Sequence, residues 1–283
     1  MRATGGRGMS SPERGGRRVL FASDFHLGLP AGSSPRERER LIVDWLRHEG
    51  AGADAVYLLG DIFDFWYEYR YVVPKGFTRF FGAVAALVDA GVEVHFFTGN
   101  HDVWMFSYLG EELGVRVHRS GERLRLNGVD LYLCHGDGLG PSGRGYKLLR
   151  RIFHCRVLQR MFSWIHPGFS MWLGQSWSRA SRKSKALEHP FRGDDEPVCH
   201  FARALRATAG VDYFIMGHLH VPVLHRMEGG GAVLVLGNWI GDSTYAMLEG
   251  QRLSLRRYEM GGRSAELDSL ELTPGSEEGG DAA

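Results

Sequence analysis

The sequence predicts an α/β fold in which buried β-strands alternate with amphipathic helices. Short apolar runs of four to six residues recur along the chain, as expected of strands that are buried on both faces. Segments with apolar residues at helical spacing separate the first of these runs. Because alternating strands and helices form βαβ units, we expect a largely parallel sheet covered by helices. In such sheets, ligands bind outside the carboxyl ends of the strands.

The first part of the chain supplies three strands and two helices. The strands are predicted at residues 18–23, 55–59 and 93–97. The helices are indicated by apolar side chains at helical spacing within residues 41–46 and 77–90. Each helix is therefore expected to bury one face against the sheet.

The later part of the chain breaks this alternation. Residues 145 to about 187 are expected to contain only helix and loop, and a further helix is predicted at 198–209. The remaining predicted strands are residues 115–118, 123–126, 129–134, 213–216, 223–226, 232–236, 244–248 and 252–258. The chain thus reads as one α/β domain with a helical insertion.

Length and composition fit that organisation. The chain has 283 residues, of which 43% are hydrophobic, as in a large globular domain. Residues 18–263 are predicted to form the domain, with a helical cap at 141–195. Residues 1–17 lack the apolar core of a secretory signal and are predicted to be a flexible arm, and 264–283 a flexible tail. No apolar run reaches the roughly 18–20 residues of a membrane helix. The three cysteines lack paired spacing, which favours reduced thiols in a cytoplasm.

The net charge of +1 conceals a strongly basic segment. Residues 144–185 contain ten Lys and Arg residues and no Asp or Glu, although the whole chain has 34 basic and 33 acidic residues. The same segment is rich in aromatic and aliphatic side chains. A solvated pair of amphipathic helices explains the apolar stripe, but solvated faces normally carry both signs of charge. The absence of acidic residues favours an anionic partner.

Five predicted strands end in residues of metal-binding type. The motifs are Asp24-Phe25-His26, Gly60-Asp61, Asn100-His101, His135 and Gly217-His218-Leu219-His220. A single histidine or Gly-Asp turn at a strand end is more often structural than a ligand. Five such ends, all expected at one edge of a sheet, favour a metal site. Mixed nitrogen and oxygen ligands without thiolate suit Mn, Fe or Zn better than Ca or Mg.

In type and order these motifs resemble the calcineurin-like metallophosphoesterase superfamily. Its signature is Asp-x-His, Gly-Asp-x-x-Asp, Gly-Asn-His-Asp, His and Gly-His-x-His, and all five occur here between residues 24 and 220. The resemblance implies a four-layer α/β/β/α sandwich with a helical cap insertion and two divalent metal ions. It implies that one ion binds Asp24, His26, Asp61 and His220, and the other Asp61, Asn100, His135 and His218.

The resemblance also assigns catalytic roles. Two ions about 4 Å apart would clamp a phosphoryl group and hold a hydroxide for attack. Asp61, shared by both ions, and His101 are the expected catalytic residues. His101 would serve as a proton donor or as a positive charge on the phosphate. Asp64 and Asp102 are expected to orient ligands rather than to bind metal.

Within the superfamily, the chain resembles the UDP-2,3-diacylglucosamine pyrophosphatases. The resemblance rests on residues 60–66, on the region of Tyr146 and on the helical insertion before Gly-His-x-His. Phe65-Trp66 stands where protein phosphatases carry Arg-Gly, which disfavours that branch. The resemblance implies a metal-dependent phosphoric anhydride hydrolase of lipid A biosynthesis that yields UMP and 2,3-diacylglucosamine 1-phosphate, with Mn2+ as the metal. It implies substrate contacts from Asn100, His101, Tyr146, Ser181 and His218.

His101 departs from this resemblance, because the best-known members of that branch carry Arg at the position after the ligand Asn. The departure leaves more than one substrate class open. One alternative is a small-molecule phosphodiesterase acting on cyclic nucleotides or another phosphoester. A second is a basic nucleic-acid binder with a vestigial metal site. Such a protein should lack some of the metal ligands, whereas all of them are present in this sequence. The expected partners are therefore the anionic nucleotide-sugar lipid and the cytoplasmic face of the inner membrane, bound peripherally. No nucleic acid and no protein partner are expected.

Overall fold

The strands of the protein form two β-sheets. A computed structural model describes residues 16–139, 151–153, 155–185 and 190–274. The first sheet contains β1 (Arg18–Ala22), β2 (Ala55–Leu59), β3 (Glu93–Phe97), β4 (Arg116–His118), β10 (Thr244–Glu249), β11 (Arg252–Glu259) and β12 (Arg263–Glu271). The second contains β5 (Glu122–Leu126), β6 (Val129–Cys134), β7 (Tyr213–Met216), β8 (Pro222–Arg226) and β9 (Ala232–Leu236).

The order of the strands places parallel strands next to each other in each sheet. The first sheet runs β12-β11-β10-β1-β2-β3-β4, and its strands β1 to β4 are parallel. The second runs β5-β6-β7-β9-β8, with β6, β7 and β9 parallel. The carboxyl ends of β1, β2 and β3 therefore meet at one edge, as do those of β6 and β7.

Six α-helices have both ends within the described ranges. They are α1 (Pro35–His48), α2 (Thr78–Asp89), α3 (Tyr108–Leu113), α4 (Arg156–Phe162), α5 (Pro167–Lys185) and α6 (Pro197–Ala209). Helix α1 begins with a capping box, in which Ser34 and Glu37 each accept a hydrogen bond from the other's backbone N–H. None of the helices in the described ranges is long and apolar enough to cross a membrane.

Three apolar clusters define four layers. Alternate side chains of strand β1 belong to different clusters: Leu20 faces the helices, whereas Val19 and Phe21 face the second sheet. The first cluster joins α1 and α2 to the first sheet, and the second lies between the two sheets. The third joins the second sheet to α6 and includes Phe214 of β7 and Cys199 of α6. The predicted α/β/β/α sandwich is confirmed.

The predicted elements agree with the structure except at the C-terminal boundary. Strand β12 pairs antiparallel with β11 as far as Glu271, so the prediction that a flexible tail begins at residue 264 is wrong for residues 264–271. The strand lies at the edge of the sheet, and most of its side chains are exposed or half-buried. It therefore lacks the apolar run by which the other strands were found.

Helices α4 and α5 lie between β6 and α6, within the predicted cap. Their position along the chain agrees with the expected helical insertion. We refer to α4 and α5 as the insertion helices.

Candidate metal centre

The seven predicted metal ligands converge where strands of both sheets end. Asp24 and His26 follow β1, Asp61 follows β2, and Asn100 follows β3. From the second sheet, His135 follows β6, and His218 and His220 follow β7. Asp24, His26, Asp61 and His135 are buried, whereas Asn100, His218 and His220 are half-buried. The site is therefore open on the side of Asn100, His218 and His220.

One group of ligand atoms surrounds Asp24. His220 Nε2 lies 3.1 Å from Asp24 Oδ1, and His26 Nε2 lies 3.7 Å from the same oxygen. The two histidine Nε2 atoms are 3.2 Å apart. Three donor atoms so close together can all reach one cation.

A second group surrounds Asp61. His135 Nε2 lies 3.3 Å from Asp61 Oδ2, and donor atoms of these two residues and of His218 lie within 4.8 Å of one another. His26 Nε2 is 4.0 Å from Asp61 Oδ2, which links this group to the first. Asp61 therefore lies between the two groups, as a bridging carboxylate would.

Buried atoms without a hydrogen-bond partner indicate that the site suits a cation. Eight such side-chain atoms occur in the described part of the chain, and three belong to predicted ligands: Asp24 Oδ1, Asn100 Oδ1 and His135 Nε2. A buried polar atom without a partner is costly unless it coordinates an ion. The His135 ring is held in the tautomer that a ligand needs, because its Nδ1 donates to the Leu59 carbonyl, 2.8 Å away.

The backbone is strained at these same residues. Eight non-glycine residues in the described ranges have positive φ angles, and five are predicted ligands: Asp24, His26, Asp61, His218 and His220. The left-handed conformation costs about 1 kcal/mol or more for a residue with a side chain. Its concentration at these residues indicates that the fold holds them in place for a function.

Glycines allow the ligand loops to approach each other. A Cβ atom on Gly99 would lie 2.3 Å from Asp61 Oδ1, and one on Gly217 would lie 2.6 Å from Asp24 Oδ2. Any larger residue would displace the neighbouring carboxylate. The glycines of the Gly-Asn-His-Asp and Gly-His-x-His motifs are therefore required by the packing of the site itself.

Asp102 supports the loop that carries Asp61. Its carboxylate accepts hydrogen bonds from four backbone N–H groups, those of Gly99, Asp61, Ile62 and Phe63, at 2.7–3.3 Å. Burial, together with the charge of Asp61, raises the pKa of Asp102 to about 7 against the effect of these bonds. The expectation that Asp102 orients a ligand agrees with this geometry.

The electrostatics of the site centre on Asp61 and His135. Burial acts against the charge of Asp61, yet nearby His135 and His101 hold the pKa of this carboxyl well below its usual value. Burial likewise opposes the protonation of His135, but the Asp61 charge raises the pKa of this imidazole well above its usual value. The site strongly favours a positive charge next to Asp61.

His101 lies beside the second group. Its Nε2 is 3.9 Å from Asp61 Oδ2, and its backbone N–H donates to Asp61 Oδ1 at 2.9 Å. Its Nδ1 lies 2.9 Å from the Asp64 carbonyl oxygen. The imidazole therefore lies next to the Asp61 carboxylate, on the side of the second group.

The insertion helices contact the segment that follows Asp61. The Tyr67 hydroxyl donates to the Gln159 carbonyl of α4 at 2.6 Å. The Ser178 hydroxyl donates to Asp64 Oδ1 at 2.8 Å. Ser178 was not predicted, although it lies one helical turn before the predicted substrate contact Ser181.

Two predicted substrate contacts are not described in full. Tyr146 lies outside the described residues. Ser181 belongs to α5, but its side chain lies outside the described part. The other three, Asn100, His101 and His218, lie at the site.

A separate cluster of Asp194, Cys199 and His225 does not resemble the first two groups. Asp194 is already bonded to His225, to Arg203 and to the Glu228 backbone N–H. Burial raises the pKa of the Cys199 thiol to about 11, whereas a metal ligand must be a thiolate. These contacts describe an ordinary surface ion-pair network.

Comparisons with known proteins agree with this geometry. The model of the calcineurin-like phosphoesterase family matches residues 17–222. A UDP-2,3-diacylglucosamine hydrolase from Porphyromonas gingivalis is 39% identical over 256 residues, which cover 86% of this chain and 98% of that protein. A protein of the same name from Neisseria gonorrhoeae is 33% identical, over 80% of this chain and 91% of the relative.

The similarity to solved structures is lower. A dimetal phosphatase from Danio rerio is 17% identical with a TM-score of 0.45, covering 92% of this chain and 99% of its own. Vacuolar protein sorting 29 from Cryptosporidium parvum is 15% identical with a TM-score of 0.46, over 90% and 98% of the two chains.

Proposed function

The chain belongs to the calcineurin-like phosphoesterase family and is a hydrolase, and we propose that its substrate is UDP-2,3-diacylglucosamine. Water would cleave the pyrophosphate bond of this lipid to give UMP and 2,3-diacylglucosamine 1-phosphate. The single observation that carries the proposal is the convergence of six of the seven proposed ligands, with the seventh, Asn100, after the neighbouring strand β3, in a chain that aligns with nearly the full length of a relative of that name.

Two divalent cations, proposed to be Mn2+, would polarise the phosphoryl oxygens and supply hydroxide at neutral pH. Asp24, His26, Asp61 and His220 would hold one ion. Asp61, Asn100, His135 and His218 would hold the other. The oxygen and nitrogen donors of these residues suit Mn2+.

His101 and the half-buried ligands would handle the substrate. Asn100 and His218 lie on the open side of the site and would contact the phosphate as well as a cation. His101 Nε2 faces the same space and would place a positive charge or a proton on the leaving oxygen. The leaving phosphate of a pyrophosphate has a second pKa of about 6, so it needs little protonation. Tyr146 and Ser181 remain proposed contacts.

The insertion helices provide a surface that suits an acylated substrate. Large apolar side chains are exposed along them and on the loop between them: Val157, Leu158, Met161, Trp164, Phe169, Trp172, Leu173 and Trp177. Exposed apolar side chains that lie close together often mark a binding surface. The sequence of this segment has basic but no acidic residues, which suits an anionic membrane surface. We propose that these helices bind the acyl chains and the cytoplasmic face of the inner membrane.

The first experiment measures the release of UMP from UDP-2,3-diacylglucosamine by the full chain with Mn2+. Asp61→Asn should abolish the release, because this residue is proposed to join both ions. His225→Ala is the matched control, since His225 is a half-buried histidine outside the site, and it should leave the rate unchanged. Absence of UMP with the wild-type chain at any Mn2+ concentration would contradict the proposed substrate.

The second candidate function is hydrolysis of cyclic nucleotides or another small phosphoester. The observation that favours it is His101 itself, because an ester with an alkoxide leaving group needs a proton donor at that place. Cyclic nucleotides should be tested beside the lipid under the same conditions. Turnover of the cyclic nucleotide without release of UMP from the lipid would select this second function.

A further inference from the structure

Ser178 connects the insertion helix α5 to His101 at the candidate metal centre. It lies on α5 and its side chain is buried, with 1% of its surface exposed. Its hydroxyl donates to Asp64 Oδ1 at 2.8 Å, and its Oγ lies 3.3 Å from His101 Nδ1. A serine hydroxyl has one proton. Because that proton goes to Asp64, the Oγ must accept from His101.

The hydrogen bonds of His101 fix its tautomer. The Asp64 carbonyl oxygen, 2.9 Å from His101 Nδ1, can only accept. Both neighbours of Nδ1 therefore require it to carry a hydrogen in every protonation state, so the proton that the ring can give to a leaving group is a second one, on Nε2, which faces the site 3.9 Å from Asp61 Oδ2. Asp64, Ser178 and His101 thus form a hydrogen-bonded chain that ends at the reacting group.

The position of Ser178 depends on how α5 lies against the domain. Ser170, Gly174 and Ser178 recur every four residues and share one face of the helix. Ser170 bonds to the Tyr69 hydroxyl, and a Cβ atom on Gly174 would lie 2.3 Å from the Phe65 ring. The helix therefore lies directly on residues 64–69, the segment that follows the bridging carboxylate. A movement of α5 would carry Ser178 away from His101.

We propose that Ser178 is a positioning residue, which orients His101 only when the insertion helix is in place. The inference rests on the proposed function in one respect, namely that His101 acts on the leaving group. It adds that the helix which meets the lipid also completes the orientation of the reacting imidazole. Substrate binding by the insertion would then be coupled to catalysis.

Nuclear magnetic resonance of 15N-histidine-labelled protein tests the orientation without any activity. The full chain is loaded with diamagnetic Zn2+, and the His101 signals are assigned by their loss in His101→Gln. In its neutral form, the wild-type ring should show the Nδ1–H tautomer. Ser178→Ala should shift the ring towards a mixture of tautomers, and Ser178→Thr, which keeps the hydroxyl, should restore the wild-type spectrum.

Ser170→Ala is the matched control for this experiment. It removes a buried serine from the same helix face, two turns away, and breaks a contact with Tyr69 rather than with His101. The His101 tautomer should be unchanged in this variant. Equal spectra for wild type and Ser178→Ala, or equal changes in both alanine variants, would overturn the proposal.

Kinetics with aryl phosphate diesters test the consequence for the reaction. Loss of an orienting partner of this kind typically costs about 10- to 100-fold in activity. Ser178→Ala should lower kcat by that factor with phenol as the leaving group and by less with p-nitrophenol, at unchanged KM. A rise in KM alone would make Ser178 a substrate contact and overturn the positioning role. If the wild type cleaves no phosphoester, the proposed function fails while the spectra still decide the role of Ser178.

Discussion

The Nε2 atoms of His26 and His220 lie 3.2 Å apart, although 194 residues separate them in the chain. Both face Asp24 Oδ1. Two imidazole nitrogens do not approach each other in this way next to a carboxylate unless a cation or a proton lies between them. This arrangement leads to the first prediction.

His220→Ala should remove one of the two proposed ions. Mn2+ per chain, measured by elemental analysis after dialysis, should fall from two to one, with affinity at that position reduced more than about 100-fold. His225→Ala serves as the control and should retain both ions. Loss of metal in the control instead would show that Asp194, Cys199 and His225 bind it.

Gly99→Ala should inactivate the enzyme through Asp61. The new Cβ would lie 2.3 Å from Asp61 Oδ1 and force the carboxylate to move. A displacement of about 1 Å at a reacting centre can cost about 100-fold in rate, and we expect at least that loss in kcat. The control is Gly82→Ala in α2, where a Cβ atom meets nothing within 4 Å. Full activity in Gly99→Ala would refute the packing argument.

The stability of the fold should depend on pH through His95. Burial lowers the pKa of this imidazole to about 4, and the neighbouring His118, whose Nε2 is 2.9 Å from His95 Nδ1, adds to the effect. Arg116 acts in the same direction, whereas Glu93 opposes it. In the unfolded chain, His95 protonates near pH 6.5. The stabilisation that depends on neutral His95 is therefore fully present above pH 6.5 and is lost as the pH falls towards 4.

Urea unfolding of the wild type and of His95→Gln measures this contribution. The wild type should lose about 1–2 kcal/mol between pH 6.5 and 4 from this residue, after allowance for solvent screening. His95→Gln should lose correspondingly less over the same interval. Parallel pH curves for the two proteins would exclude His95 as the cause.

Trp164→Ser should weaken binding to anionic vesicles. The Trp164 side chain is 83% exposed on the loop between α4 and α5, where it would enter a lipid surface. Loss of its burial corresponds to about 1–2 kcal/mol, or roughly tenfold in partitioning. The measurement is co-sedimentation with phosphatidylglycerol vesicles. Met260→Ser, at an exposed apolar residue in the turn between β11 and β12, should bind as the wild type does.

The sequence alone determined the elements and the kinds of ligand. Short apolar runs followed at once by Asp, Asn or His are local patterns, so the strands and the seven candidate ligands could be found without knowledge of any distant contact. The sandwich itself followed only from the resemblance to a known family. Strand β12 was missed because an exposed edge strand has no apolar run.

Only the tertiary structure decided which residues meet. The pairing of His220 with Asp24, the close approach of Gly99 to Asp61, and the contact of Ser178 with His101 join residues that lie 38 to 196 positions apart. Such contacts are set by how two sheets and an inserted helix pack, and packing leaves no periodic signal in the sequence. The chain encodes the ligands locally, but the two sheets together assemble the site.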